Sequence, residues 1–338
     1  MIGRATTKLL DAPRVGPEEA GLKAAVDALG GEVIRLRSRD GLKLTARWLP
    51  ADGRPVTGAP GDTWQPDPYE AILLLHGWTG SVAPDLVELG PTLRRTAGVL
   101  GLDFRGHGGS DDAPTTFGLN EIEDVAGALA WLGERGIRRV ALVGSSMGGV
   151  VAIAAIVVLG DGSLVQADLD PTAPAAAVEA PRPRIVGAVA ESVAPDLRIP
   201  IANRMGLPIG GVLRRALAGR MFTMAGRRVG GDLRATEPGR IVGLLEPVPL
   251  LLIHGGADRT VRPSDGRRLA ALAGPSAEHW EVPGAEHGRA RRAAPEQWDE
   301  RVSSFLRSAL SGAREVVPII HASGEPTPDS DSARLEGD

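Results

Sequence analysis

Val140-Ala141-Leu142-Val143-Gly144-Ser145-Ser146-Met147-Gly148-Gly149 decides how the chain is read. Four apolar residues run into Gly-x-Ser-x-Gly, and a small-residue apolar stretch, Val150 to Leu159, follows. The pattern is that of a buried strand, a tight turn and a buried helix, with Ser146 at the apex. Gly144 and Gly148 let the backbone pass close to itself, so the serine can occupy a strained turn. Unpaired N–H groups at the helix start, that of Met147 among them, then face any negative charge developing beside the serine. With 45 glycines in the chain, a bare Gly-x-Ser-x-Gly arises easily by chance, so the flanking strand and helix give the match its weight. The spacing designates Ser146, not its neighbour Ser145, as the candidate nucleophile. The competing reading is an idle serine on a structural turn.

Outward from this stretch, strand and helix patterns alternate. Val33–Ser38 and Lys43–Leu49 alternate apolar and polar residues about Asp40-Gly41, which predicts a hairpin. Ala71–Leu75, Gly98–Leu102, Arg139–Val143, Ile185–Ala190 and Val248–Ile253 read as strands, several of them continuously apolar, as strands covered on both faces are. A further strand is predicted near Glu278–Val282. Helices are predicted over Asp85–Thr96, Leu119–Glu134, Ser264–Ala273 and Pro295–Leu310; Asn120 is placed to cap the second of these. This order implies an α/β fold, a doubly wound and mostly parallel sheet of about eight strands. Residues 1–30 read as an N-terminal arm with a short helix near Pro17–Leu29. Residues 50–69 and 160–184, rich in Pro, Gly and Asp or Ala, read as loops. The polar segment 313–338 reads as a largely disordered tail carrying one apolar patch, Val316–Ile320.

Composition narrows the function. The chain of 338 residues has a formal net charge of −4, which gives no sign of a nucleic-acid partner. It has no cysteine, which excludes disulfides, cysteine nucleophiles and thiolate metal sites. No spacing among the six histidines matches a metal site, so neither metal nor cofactor is expected. No signal-like apolar segment or membrane-length run occurs, and a cytoplasmic location is expected.

Four local signatures follow one another in order: His76-Gly77-Trp78-Thr79-Gly80, Asp103 to Ser110, Gly144 to Gly148, and His254 to Asp258 followed by His287. Over about residues 31–312 the set resembles the α/β-hydrolase superfamily, and most closely its serine-aminopeptidase and lysophospholipase-like branch of esterases and lipases. The resemblance implies a triad in the chain order serine, acid, histidine: Ser146, Asp258 and His287. Glu191, after the preceding strand, is the rival acid. The chemistry asks for these groups. A hydroxyl attacks only when a base takes its proton, an imidazole can take and return it, and a carboxylate fixes the imidazole's tautomer. The resemblance further implies an oxyanion hole made by the backbone N–H groups of Trp78 and Met147. It makes His76 and His254 structural, their rings bonded to loop backbone, and His107, in the Arg-Gly-His-Gly loop, also reads as structural. His279 reads as a surface residue.

The superfamily inserts a helical cap at about residues 193–243 of this chain. There Met205, Leu213, Leu217, Met221 and Phe222, with Trp78, are the candidate substrate-binding residues. Residues 198–240 carry nine arginines against Asp232 and Glu237, which is either a solvated helix face or an attraction for an anionic substrate or lipid surface. The expected activity is hydrolysis of small-molecule carboxylic esters through an acyl-enzyme. Thioesterase, acyltransferase or peptidase chemistry on the same triad stays open, as does a non-catalytic binding protein. Oligomeric state is left open.

Overall fold

The computed structural model describes residues 2–11, 19–52, 64–78, 80–160 and 182–312. The expected tail at 313–338, its patch Val316–Ile320 and most of the loop at 160–184 lie outside them. Eight strands form one sheet in the order β1-β2-β4-β3-β5-β6-β7-β8. They are β1 (Glu32–Arg37), β2 (Lys43–Leu49), β3 (Glu70–Leu75), β4 (Gly98–Leu102), β5 (Arg139–Ser145), β6 (Arg184–Glu191), β7 (Leu250–Gly255) and β8 (Ala277–Val282). β1 pairs antiparallel with β2, in register from Glu32 opposite Trp48 to Arg37 opposite Lys43, and β2 pairs antiparallel with β4. Every pair from β4 through β8 is parallel.

The continuous apolar strands lie where both faces are covered. In β3 all six residues are buried. Ile72 and Leu74 face one layer, with Leu86 and Leu93 of α3 (Ala83–Leu93) and Trp298, Val302, Leu306 and Leu310 of α11 (Pro295–Ser311). Leu73 and Leu75 face the other, with Val125 and Leu129 of α4 (Glu121–Glu134), Val151 of α5 (Met147–Leu159) and Leu269 of α9 (Pro263–Ala273). The two-residue period of a strand is what divides these neighbours between the layers. Each leucine so enclosed stabilises the fold by about 1.5–3 kcal/mol. Buried residues of α5 run without interruption from Met147 to Ile156, so this helix is enclosed on all sides, as its lack of a polar stripe predicts.

Two local readings change. Asn120 stands at the start of α4, but its side chain makes no capping bond. Glu121 organises this corner instead. Its buried carboxylate accepts the N–H groups of Thr116 (2.7 Å) and Gly118 (2.8 Å) and the Thr116 hydroxyl (2.7 Å). A carboxylate accepting three donors outcompetes an amide for the same loop. The N-terminal arm holds two helices, α1 (Ile2–Leu10) and α2 (Glu19–Ala28), where one was expected. Leu9 and Leu10 of α1 are buried in the main core, against elements distant in sequence.

Between β6 and β7 the chain forms α6 (Arg198–Arg204), α7 (Gly211–Val229) and the short α8 (Pro238–Ile241). α7 packs against both α6 and α1. Arg228 of α7 donates to the Thr7 hydroxyl of α1 at 2.9 Å. No helix among the described residues is long and apolar enough to cross a membrane.

Candidate active site

Ser146 sits between the end of β5 and the first residue of α5, with φ 53° and ψ −114°. A non-glycine residue in this region stores strain of about 1–3 kcal/mol that the surroundings must offset. The surroundings are close backbone. A Cβ on Gly144 would lie 2.4 Å from the Gly148 carbonyl carbon, and one on Gly148 would lie 2.1 Å from the Leu75 oxygen. Only glycine permits both approaches. The Ser146 N–H donates to the Glu191 carbonyl at 2.8 Å, fixing the turn to the end of β6.

Three side chains from separate crossovers meet here. His287 Nε2 is 3.0 Å from Ser146 Oγ, and His287 Nδ1 is 2.7 Å from Asp258 Oδ2. Asp258 follows β7 and is buried. Its other oxygen, Oδ1, accepts the N–H groups of Thr260 (2.8 Å) and Val261 (2.9 Å). Burial alone would raise its pKa. The hydrogen bond from His287 and the Val261 N–H outweigh that, and the carboxyl is held below its ordinary value. Asp258 is therefore held as an anion, its two oxygens fixed by three hydrogen bonds. Its fixed direction leaves Nδ1–H of His287 as the donor and Nε2 facing the hydroxyl as the acceptor.

Glu191, the rival acid, does not reach the imidazole. Its Oε1 accepts the Ala290 N–H at 2.9 Å, and next to it the Ser192 hydroxyl accepts the Gly288 N–H at 3.0 Å. The end of β6 thus holds the histidine loop on both sides of residue 289. Burial pushes the Glu191 carboxyl up to about 7; Asp85, Glu88 and Asp258 add to the rise, and the Ala290 N–H opposes it.

The other histidines bond loop backbone. Burial, then the neighbouring His107, pushes His76 down to about 3. Its neutral ring donates from Nδ1 to the Gly77 carbonyl (2.6 Å) and accepts the Phe104 N–H at Nε2 (3.1 Å). His107 spans the carbonyls of Arg105 (2.9 Å) and Trp78 (2.7 Å), tying the loop of Trp78 to the segment after β4. His254 Nε2 lies 2.8 Å from the Val261 carbonyl, within the loop of Asp258. His279 departs from the surface reading. It is half-buried, and its Nε2 has no partner among the described residues.

A cavity of about 180 Å³ opens at Ser146 and Met147. Trp78, Met205 and Met221, expected to line it, do so. Leu213, Leu217 and Phe222 do not. Leu213 and Met221 share a stripe of α7, but eight residues separate them by about 12 Å along the axis. Leu213 accordingly lies out in solvent, 59% exposed. Phe222 is turned about 100° from Met221 and packs into the core, its ring 5.8 Å from that of Phe117. Phe117, Val150, Leu197 and Ile201 add apolar wall.

Sequence reading also missed Ala5, Lys8 and Leu9 of α1. No local signal marks them, because their role comes from docking against α7. Ser192 and Arg204 also reach the cavity. A second cleft, about 390 Å³ between the end of α7 and residues 230–234, holds none of Ser146, Asp258 or His287.

The chain is similar to known proteins over most of its length. It is 24% identical over 296 residues to the uncharacterized protein YfhR of Escherichia coli O157:H7, covering 84% of each chain. Among solved structures it is similar to the esterase Pf2001 of Pyrococcus furiosus (22% identity, TM-score 0.55, covering 88% of this chain and 99% of that one). It is also similar to an alpha-beta hydrolase of Vibrio vulnificus (17% identity, TM-score 0.61, covering 89% and 92%). At these identities the likeness speaks for the fold. The model of the alpha/beta hydrolase family matches residues 72–303, a span running from within β3 through α10 (Ala290–Ala293) and holding the serine turn and the loops of Asp258 and His287. The chain belongs to the alpha/beta hydrolase family.

Proposed function

We propose that the protein is a serine hydrolase of carboxylic esters. The supporting observation is the unbroken hydrogen-bonded line from Asp258 through His287 to Ser146, at 2.7 and 3.0 Å, ending in an apolar cavity. In this reading Ser146 Oγ attacks the ester carbonyl as His287 Nε2 takes its proton. The imidazolium is stabilised by Asp258, and the same proton passes to the departing alcohol. Water, deprotonated by His287, then releases the acid and restores the hydroxyl. The backbone N–H groups of Trp78 and Met147 are assigned to the oxyanion of each tetrahedral intermediate; one such donor is worth about 3 kcal/mol. Residues 193–243 act as the cap that shapes the cavity, and the body spans residues 31–312.

The test is labelling by a fluorophosphonate combined with hydrolysis of short-chain p-nitrophenyl esters. Wild-type protein is expected to carry one adduct on Ser146 and to turn the esters over, and Ser146→Ala to do neither. A folded wild type that takes no label and cleaves no ester would end the proposal.

A further inference from the structure

The cavity at Ser146 is apolar except for its donors. Its polar lining consists of Lys8 of α1, Arg204 of α6, Ser192, Ser146 and the indole of Trp78; no aspartate or glutamate is among the described lining residues. The Trp78 Nε1–H has no acceptor among the described residues.

Lys8 and Arg204 are the cations of that lining. Of the cap arginines, Arg198 is paired with Asp196, Arg234 and Arg240 with Glu237, and Arg228 is bonded to Thr7. Lys8 and Arg204 make no hydrogen bond or ion pair among the described residues; nor do Arg215 and Arg220, but those two lie outside the cavity lining. Both are exposed at the opening, while apolar groups of their own helices, Leu9 and Ala5 beside Lys8 and Ile201 and Met205 beside Arg204, form the wall. Long cationic side chains habitually lay their stems on apolar surface and keep the charge at its edge. Here the edge is the rim of the cavity that contains the nucleophile.

Resting on the esterase reading, we infer that Lys8 and Arg204 form an oxyanion-binding subsite, so that the substrate is an ester whose acyl or alcohol part also carries a carboxylate or phosphate. An apolar linker fills the wall of the cavity, the scissile carbonyl reaches Ser146, and the anionic group remains at the rim between a lysine and an arginine. The guanidinium supplies planar paired donors and the ammonium a compact charge, a combination suited to carboxylate and phosphate oxygens alike. The N-terminal helix is then part of the substrate site, and Lys8 and Arg204 are its specificity-determining residues.

Two matched substrate pairs separate the sources of the anion. On the acyl side, p-nitrophenyl hexanoate is compared with the mono-p-nitrophenyl ester of adipate. On the alcohol side, monobutanoylglycerol is compared with butanoylglycerol 3-phosphate, followed by titration of released acid. Wild-type kcat/KM is expected to favour the anionic member of one pair, and that pair identifies the source. Lys8→Ala/Arg204→Ala is expected to lower the anionic-to-neutral ratio about tenfold, the size of one charge-assisted hydrogen bond lost. Lys8→Arg/Arg204→Lys is expected to retain most of the ratio.

Arg215→Ala, which removes an exposed cap charge outside the cavity lining, is expected to leave the ratio unchanged. Absence of anionic preference in both pairs would overturn the inference, as would a ratio that falls equally in Arg215→Ala. Binding of hexanoate by calorimetry gives a readout without turnover. The full chain is expected to bind it about tenfold more tightly than the double alanine variant; equal binding, or none to either, would overturn the subsite. Fluorophosphonate labelling of Ser146 answers the esterase reading separately, so the two can fail independently.

Discussion

Replacing Asp258 by asparagine changes one atom and, by the geometry, the direction of every proton in the line. Asp258 Oδ1 accepts two backbone N–H groups, from Thr260 and Val261. An asparagine in this place must keep its carbonyl oxygen there, because its NH₂ would otherwise confront two donors. The NH₂ is thereby directed at His287 Nδ1, now 2.7 Å from Oδ2. The imidazole can answer only by accepting at Nδ1 and carrying its proton on Nε2, the nitrogen 3.0 Å from Ser146 Oγ. It then donates to the hydroxyl and can no longer take its proton.

Two magnitudes separate this account from a simpler one. Loss of a charge-assisted hydrogen bond alone costs about 1.5–3 kcal/mol, a fall in kcat of about 10- to 150-fold. The wrong tautomer costs about four powers of ten, near 5.5 kcal/mol. The assay is kcat for a p-nitrophenyl ester in wild type and Asp258→Asn, with urea unfolding of both to establish that the variant is folded. The two backbone bonds to residue 258 survive, so the variant is expected to fold. A folded Asp258→Asn whose kcat stays within about 100-fold of wild type would refute the tautomer argument.

Gly148→Ala is expected to lose esterase activity and at least about 1–3 kcal/mol of stability by urea unfolding, since its Cβ would meet the Leu75 oxygen at 2.1 Å and the His76 oxygen at 2.8 Å. Between about pH 4.5 and 7 the folded chain holds the Glu191 proton more tightly than the unfolded chain, so stability falls as pH rises through that window. Glu191→Gln removes this part of the slope, and urea unfolding at pH 5 and pH 8 should differ by about 2–3 kcal/mol less in the variant than in wild type. Arg105→Ala strips the buried carboxylate of Asp124 of its bonds from Arg105 Nε (2.9 Å) and Nη2 (2.8 Å) and is expected to cost about 3–5 kcal/mol in the same measurement.

The sequence made the central sheet legible for a physical reason. Strands such as Ala71–Leu75, covered on both faces, must be apolar at every position, and turns such as Gly144–Gly148 admit few residue types. Ser146 could be named from its turn, whereas Asp258 and His287 were implied by the resemblance of the ordered motifs; their approach to one another is a property of the fold. The lining of the cavity was less legible. Leu213, Leu217 and Met221 share one apolar stripe of α7, and only the position of that helix over the sheet decides which of them reaches the serine. α1 was hidden for the same cause. Its few apolar residues acquire a role only against partners distant in the chain, among them α7, more than two hundred positions away. Asn120 and Glu121 compete for the same corner, and a preference for amides at helix starts does not anticipate a carboxylate that gathers three donors at once.

The peptide at Glu191 and Ser192 holds the Ser146 N–H through a carbonyl and the histidine loop through two side chains, at Gly288 and Ala290. Ser146 and the loop of His287 are therefore surveyed from one benchmark. When the tip of β6 drifts, both travel with it, and the gap between hydroxyl and imidazole fluctuates less than the position of either.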